Sequence, residues 1–304
     1  MRRLLVVGAN GQVGHELRRS LAPLGEVVAA TRDGALDDGG QCRAVDLSDP
    51  HALAALVDDS APSVVVNAAA YTAVDKAEGE RAAAFAVNAE APGVLASACA
   101  RAGIPFVHYS TDYVFDGQGQ RPYREDDPTA PLGVYGESKL AGEDAVRASG
   151  ARHLIFRTAW VYGVHGHNFL RTMLRLGAHR DELRVVDDQV GSPTPASLIA
   201  DATAIGVAQA LAGRAGSGTW HLVAAGETSW HGFAEAIFAE AVAAGLLPRA
   251  PKVVPISTLD YPTPARRPRY SRLDASRFER DFGMDLAGWR QGVAEVVGEI
   301  AAAR

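Results

Sequence analysis

The sequence predicts an α/β fold, a doubly wound parallel sheet followed by a smaller α/β unit, and three observations carry the prediction. Across the first two thirds, short β-branched runs alternate with longer alanine-rich stretches of helical spacing. One of these runs, Val64-Val65-Val66, is apolar at every position, as a strand covered by helices on both faces must be. The first run leads directly into a glycine-rich turn, Gly8-Ala9-Asn10-Gly11-Gln12-Val13-Gly14, that opens a helix.

Taken in order, strands are predicted at Leu4 to Val7, Val27 to Thr31, Arg43 to Val45, Val64 to Asn67, Phe106 to Ser110 and Leu154 to Thr158, with helices between most of them. After about Gly166 the alternation gives way to a helix from Phe169 to Leu176, a polar loop from Asp187 to Pro195, another helix, and a short strand near Thr219 to Val223. A helix around Phe233 to Ala244, a proline-rich connection from Pro248 to Pro268 and two short terminal helices complete the chain, with no internal repeat.

Composition narrows the function classes. The 304 residues, 47% hydrophobic and 22% charged, suffice for two units and exclude disordered, collagen-like and minimal disulfide classes. A formal net charge of −6 offers no global positive field to nucleic acid or an anionic membrane, so an anionic ligand must be met by local donors. Cys42 and Cys99 lack CxxC spacing and metal-ligand company, which reads as two reduced thiols in a cytoplasmic protein. Arg2-Arg3 precede only four apolar residues, too few for a signal peptide, and no 18-residue uninterrupted apolar stretch predicts a membrane span.

The glycine turn is the best-placed motif. Gly8 permits a tight turn, Gly11 clears the path of a pyrophosphate and Gly14 lets the helix pack on the sheet while its first amides face the anion. The Rossmann-type reading extends to Asn10, Gln12 and Val13 in the same turn, to Asp46 and Leu47 at the adenine edge, and to Ala68, Ala69 and Ala70 where a cofactor must lie against the sheet. At the end of the second strand stands Thr31-Arg32-Asp33; Arg32 would pair with a 2′-phosphate, whereas Asp33 would accept ribose hydroxyls, so NADPH is favoured with NADH open as a second cofactor.

Tyr135 and Lys139 stand four apart at the start of a predicted helix and share one face. An ammonium beside a phenol favours the phenolate and makes the tyrosine a better acid-base catalyst. Ser110-Thr111-Asp112-Tyr113 ends the fifth strand at the carboxyl edge of the sheet, where open α/β folds bind ligands, and Thr111 is the hydroxyl chosen to meet a substrate carbonyl. Thr111, Tyr135 and Lys139 thus form a set suited to hydride transfer.

With these residues placed, the chain resembles the extended short-chain dehydrogenase/reductase superfamily and, within it, the dTDP-4-dehydrorhamnose reductases. The resemblance runs through the Gly8–Gly14 turn, Val66 to Glu78, Tyr109 to Phe115, Tyr135 to Glu143, Phe156 to Gly163, Asp187 to Thr194 and Tyr261 to Pro268. It implies NAD(P)H-dependent reduction of the C4 ketone of dTDP-4-dehydro-β-L-rhamnose to dTDP-β-L-rhamnose, a donor for cell-surface polysaccharide. Tyr135 would protonate the C4 oxygen and also contact the cofactor, Lys139 would hold the nicotinamide ribose and lower the tyrosine pKa, and Thr111 would hydrogen-bond the reacting oxygen. Asp112, Trp160 and Asn168 would contact the sugar nucleotide, with Gln189, Arg266 and Arg267 as further donors for its diphosphate. Residues 1–166 and 194–227 would form the dinucleotide-binding unit, and 167–193 with 228–304 the sugar-nucleotide-binding unit.

Some family members dimerise around magnesium held by glutamates; this chain keeps Glu16 but has Ser197 where a second acid would stand, so no metal site is predicted and a homodimer stays open. Alternative readings are another nucleotide-sugar 4-ketoreductase, an epimerase that returns its hydride, and a non-enzymatic NADP-binding regulatory subunit. A 4,6-dehydratase is disfavoured because Asp112 is followed by Tyr113 instead of a second acid.

Overall fold

The computed structural model describes residues 2–303. Its strands in chain order are β1 (Arg3–Val7), β2 (Glu26–Thr31), β3 (Arg43–Ala44), β4 (Val64–Asn67), β5 (Phe106–Thr111), β6 (His153–Thr158), β7 (Val161–Tyr162), β8 (Glu182–Val186), β9 (Val190–Gly191), β10 (Thr194–Pro195), β11 (Gly218–His221), β12 (Thr228–Ser229) and β13 (Lys252–Ile256). The helices are α1 (Gln12–Leu21), α2 (Pro50–Ser60), α3 (Val74–Ala77), α4 (Arg81–Phe85), α5 (Ala91–Ala102), α6 (Val134–Ala148), α7 (Phe169–Gly177), α8 (Ala196–Leu211), α9 (Trp230–Ala243), α10 (Ser276–Phe282) and α11 (Trp289–Ala302).

Seven parallel strands form one sheet in the order β11-β6-β5-β4-β1-β2-β3. Alternate residues of β1 reach opposite faces: Leu4 and Val6 pack toward α1 and α8, and Leu5 and Val7 toward α2 and α5. The strand order reverses between β1 and β4, so their carboxyl ends open a crevice at the switch point. All predicted sheet strands are present, each within a residue or two of its expected limits.

A second core lies beside the sheet, where α7, α9 and α11 enclose Leu170, Phe233, Ile237, Phe238, Val293 and Val297 with Leu183 and Val185 of β8. Three expectations are corrected there. The proline-rich connection contains β13, which pairs in parallel with β8, and Pro255 is tolerated because this sheet has only two strands. The polar loop Asp187 to Pro195 contains β9 and β10, which pair with β12 and β7. Of the terminal helices only α10 is short; α11 has 14 residues. Phe278 and Phe282 of α10 join the sheet's core at Phe156, whereas α11 joins the second core.

The helical run Arg81–Ala102 includes one wide π turn at Ala86–Glu90 and, at 22 residues, is long and apolar enough by composition to cross a membrane. Half of its apolar window is buried, with α5 lying against α2 and α6 on the sheet, as a core helix must.

Candidate active site

β1 ends in Gly8 with φ +83°, and a Cβ there would lie 2.6 Å from the Ala69 amide, so the first βα turn rests directly on the segment after β4. Gly11 is exposed, and a Cβ on it would meet only the Gly8 and Ala68 carbonyl oxygens, at 3.2 and 3.9 Å. The open side of this turn leads to the first amides of α1, whose opening turn carries no acid, a cradle that fits a pyrophosphate. Val13 and Ala68 to Ala70 are half-buried around it.

The other predicted cofactor residues divide by how they are engaged. Asn10 bridges the turn to the next loop, donating to the Ala35 carbonyl at 3.0 Å and accepting from the Asp37 amide at 3.2 Å. Gln12 accepts from Asn168 Nδ2 at 2.9 Å. Asp33 turns back to accept from Thr31 Oγ1 and the Ala35 amide, whereas Arg32 stands exposed at the end of β2. Asp46 closes on Ser48, and Leu47 packs against the core.

The catalytic set converges on the carboxyl end of β5. Thr111 is buried, donates to Asp112 Oδ1 at 2.9 Å, accepts from the Tyr113 amide at 3.2 Å and stands beside the Tyr135 hydroxyl, while Ser110 lies on the Glu143 side. Tyr135 lies in the first turn of α6. Gly133 supplies no side-chain cap, and Glu78 replaces it by accepting from the Val134 amide at 3.0 Å. A Cβ on Gly136 would lie 2.3 Å from the Tyr113 carbonyl oxygen, so glycine at this position lets α6 approach the strand end. Burial pushes the Tyr135 phenol above its ordinary pKa, the neighbouring Thr111 hydroxyl opposes the rise and Asp112 adds to it, so the lowering expected from Lys139 is not what sets this group. Lys139 is fully buried and donates to the Tyr109 carbonyl at 2.6 Å.

Sequence reasoning missed several supports. Asn88, in the π turn, accepts from the Tyr71 amide at 2.8 Å and donates to the Tyr71 carbonyl and Ser138 Oγ, each at 3.0 Å, joining the loop after β4 to α6. Its only signal was a lone amide among alanines. Trp160, at φ +48°, stacks on Trp230 with centroids 3.5 Å apart, and Trp230 Nε1 donates to Gln189 Oε1 at 3.2 Å. Gln189 also donates to Thr258 at 3.1 Å, so it organises this wall. Asn168 caps α7 and reaches the phosphate turn through Gln12.

Arg266 is exposed, and Arg267 is engaged: it donates to Asp75 Oδ2 at 2.6 Å and to the Tyr113 hydroxyl at 3.2 Å. Tyr113 in turn meets Tyr135 edge-on, with centroids 5.5 Å apart. Arg267→Ala should therefore raise KM for the sugar nucleotide roughly tenfold, the equivalent of one charge-assisted bond, with a smaller change in kcat. Steady-state kinetics at saturating cofactor measure the split.

Glu16 and Ser197 share a cavity of about 410 Å³ with His15, His165 and Glu299. Glu16 is held by Arg19 at 3.4 Å, and no cluster of three His, Cys, Asp or Glu side chains among the described residues could hold a metal. The donors do not fit a magnesium site.

The RmlD substrate binding domain family matches residues 1–302. The dTDP-4-dehydrorhamnose reductase of Burkholderia thailandensis is 53% identical over 304 residues, covering 98% of this chain and 99% of its own. Among solved structures, the dTDP-4-dehydrorhamnose reductase of Clostridium acetobutylicum superposes with a TM-score of 0.87 at 36% identity, covering 98% of this chain and 99% of that one. The Bacillus anthracis reductase, solved with NADP, gives a TM-score of 0.88 at 32% identity and the same coverage. Sequence and fold agree over essentially the whole chain, which belongs to the dTDP-4-dehydrorhamnose reductase family.

Proposed function

We propose that this protein reduces the C4 ketone of dTDP-4-dehydro-β-L-rhamnose to dTDP-β-L-rhamnose with NADPH, the last step in making this donor for cell-surface polysaccharide. The carrying observation is the convergence of Thr111 at the end of β5 with Tyr135 and Lys139 on one face of α6, Lys139 being anchored on the Tyr109 carbonyl at 2.6 Å. Ketone reduction requires a proton donor at the forming alkoxide, and a phenol at this strand end can supply it. The bound cofactor supplies the hydride. Tyr135 gives its proton to the C4 oxygen, and the Thr111 hydroxyl orients that oxygen. Lys139 holds the nicotinamide ribose, and Asp112, Trp160 and Asn168 face the sugar nucleotide.

The Gly8–Gly14 turn would hold the pyrophosphate. With Asp33 committed to its own turn, Arg32 is left for a 2′-phosphate, which supports NADPH over NADH. The NADP in the Bacillus anthracis relative supports the same choice. We assign 1–166 and 194–227 to cofactor binding, 167–193 and 228–304 to the substrate, and the reaction to the cytoplasm.

The test follows the loss of reduced-nicotinamide absorbance when the protein meets NADPH or NADH and the product of a dehydratase and a 3,5-epimerase acting on dTDP-glucose. Stoichiometric oxidation that requires the epimerised ketone is expected. Cofactor binding without consumption would overturn the reading in favour of a regulatory subunit.

Asp112 supplies a pH-dependent check. It is 2% exposed, and burial pushes its carboxyl up to about 6 against the opposing pull of the Ser271 and Thr111 hydroxyls. Below the unfolded value near 4 both states are protonated; between there and about 6 the folded state binds the extra proton, so stability falls as pH rises. Relative to the wild type, Asp112→Asn should gain up to about 3 kcal/mol between pH 4 and pH 8. Urea unfolding of both proteins at the two pH values measures it.

A further inference from the structure

Behind the reacting edge runs a buried polar column whose members come from three elements: Asn67 of β4, His108 of β5 and Lys139 of α6, exposed by 1%, 0% and 2%. Hydrogen-bond accounting fixes its protons. The Ala69 amide donates to Asn67 Oδ1 at 3.2 Å, and because a backbone N–H can only donate, the atom facing it must be the amide oxygen. The Asn67 nitrogen is therefore the atom 3.3 Å from His108 Nδ1. An amide nitrogen also only donates, so Nδ1 accepts and the ring proton sits on Nε2. That Nε2 lies 3.4 Å from Lys139 Nζ. A ring N–H pointed at a lysine bonds the free amine and opposes the ammonium. Turning Asn67 over would only move the donor–donor conflict onto the half-buried Ala69 amide, which has no other acceptor among the described residues.

We propose that His108 is a positioning residue for Lys139: locked by Asn67 with its proton on Nε2, it holds the lysine side chain in place and favours the amine over the ammonium. The proposal deepens the reading above, because the role of Lys139 belongs to that reading.

The groups facing Lys139 are consistent with this arrangement. On its own helix, Glu143 favours the ammonium, but that carboxylate is held by Arg157 of β6 through two bonds of 2.8 Å and by Arg147. Tyr135 stands one turn away with its phenol protonated. From β5 come His108 and the Tyr109 carbonyl, with the Tyr109 phenol neutral. Burial lowers the Lys139 ammonium to about 8 against the pull of Glu143, and burial with Lys139 holds His108 well below its ordinary value, hence neutral.

The test needs no substrate. The chain has three lysines, Lys76, Lys139 and Lys252, so protein labelled with 13C at lysine Cε gives three signals, assigned with Lys76→Arg and Lys252→Arg. In the wild type Lys139 should titrate well below the other two. His108→Phe should raise its midpoint by about one pH unit or more. His108→Gln can accept from Asn67 through Oε1 and donate to Lys139 through Nε2, and should restore the wild-type midpoint. Equal midpoints in wild type and His108→Phe, or equal shifts in both variants, would overturn the proposal. Should the variants fold poorly, 15N shifts of His108 in the wild type decide: an Nε2–H tautomer is expected, and an Nδ1–H tautomer refutes it. If ketone reduction fails while Lys139 titrates as stated, only the functional reading falls; the converse removes His108 alone.

Discussion

Tyr135→Phe should lower kcat for ketone reduction by roughly 10²- to 10⁴-fold, the range set by loss of a positioned general acid, and leave cofactor binding unchanged. The ring is retained, so its edge-on contact with Tyr113 survives, and α6 keeps its start at Val134 through Glu78. What disappears is the phenolic hydroxyl beside Thr111, the group proposed as the proton donor to an oxygen at the strand end. Stopped-flow reduction with NADPH, alongside fluorescence titration of the cofactor, separates the two effects. A variant that loses binding and turnover together would place Tyr135 in the cofactor cradle instead of at the reacting carbonyl.

Glu143→Gln should cost about 3–5 kcal/mol of stability, the price of leaving one member of a buried ion pair uncompensated. Glu143 is fully buried and Arg157 is 3% exposed; Nε and Nη2 of the arginine each donate at 2.8 Å, and its guanidinium lies 5.1 Å from the Phe115 ring. Burial alone would raise the Glu143 carboxyl, but the bonds and charge of Arg157 outweigh it and leave the carboxyl below its ordinary value. Its stabilising contribution is therefore present above the unfolded value and lost as pH falls through the lower folded one. Replacing both partners with apolar residues of similar volume should recover most of the loss. Denaturant unfolding of the single and double variants measures the coupling.

The parts of the structure visible in the sequence are those set by local pattern. Strand β4 announced itself because each valine is buried, and Tyr135 and Lys139 because four residues bring side chains back to one helical face. The glycine turn was legible for the same reason, since strand, turn and helix are contiguous. What pattern could not supply are partnerships across the chain. Arg267 was read as a donor for a diphosphate on its charge, and nothing local disclosed that it also pairs with Asp75, 192 residues away. Asn168 contacts Gln12 across 156 residues. Strand β13 was obscured by Pro255, a residue that counts against a central strand but not against one of two paired strands. The column of Asn67, His108 and Lys139 needed three elements in register before any of its protons could be placed.

The interleaving of the two cores has a consequence for synthesis on the ribosome. Phe156 packs against Trp220, Phe278 and Phe282, so the sheet's apolar face at β6 cannot close until α10 has emerged. A nascent chain carrying the first six strands exposes that aromatic surface for about 120 residues of further translation, many seconds at ordinary elongation rates. Truncation after β6 would make the interval permanent. The first core to be started is thus completed only by the next-to-last helix to be translated.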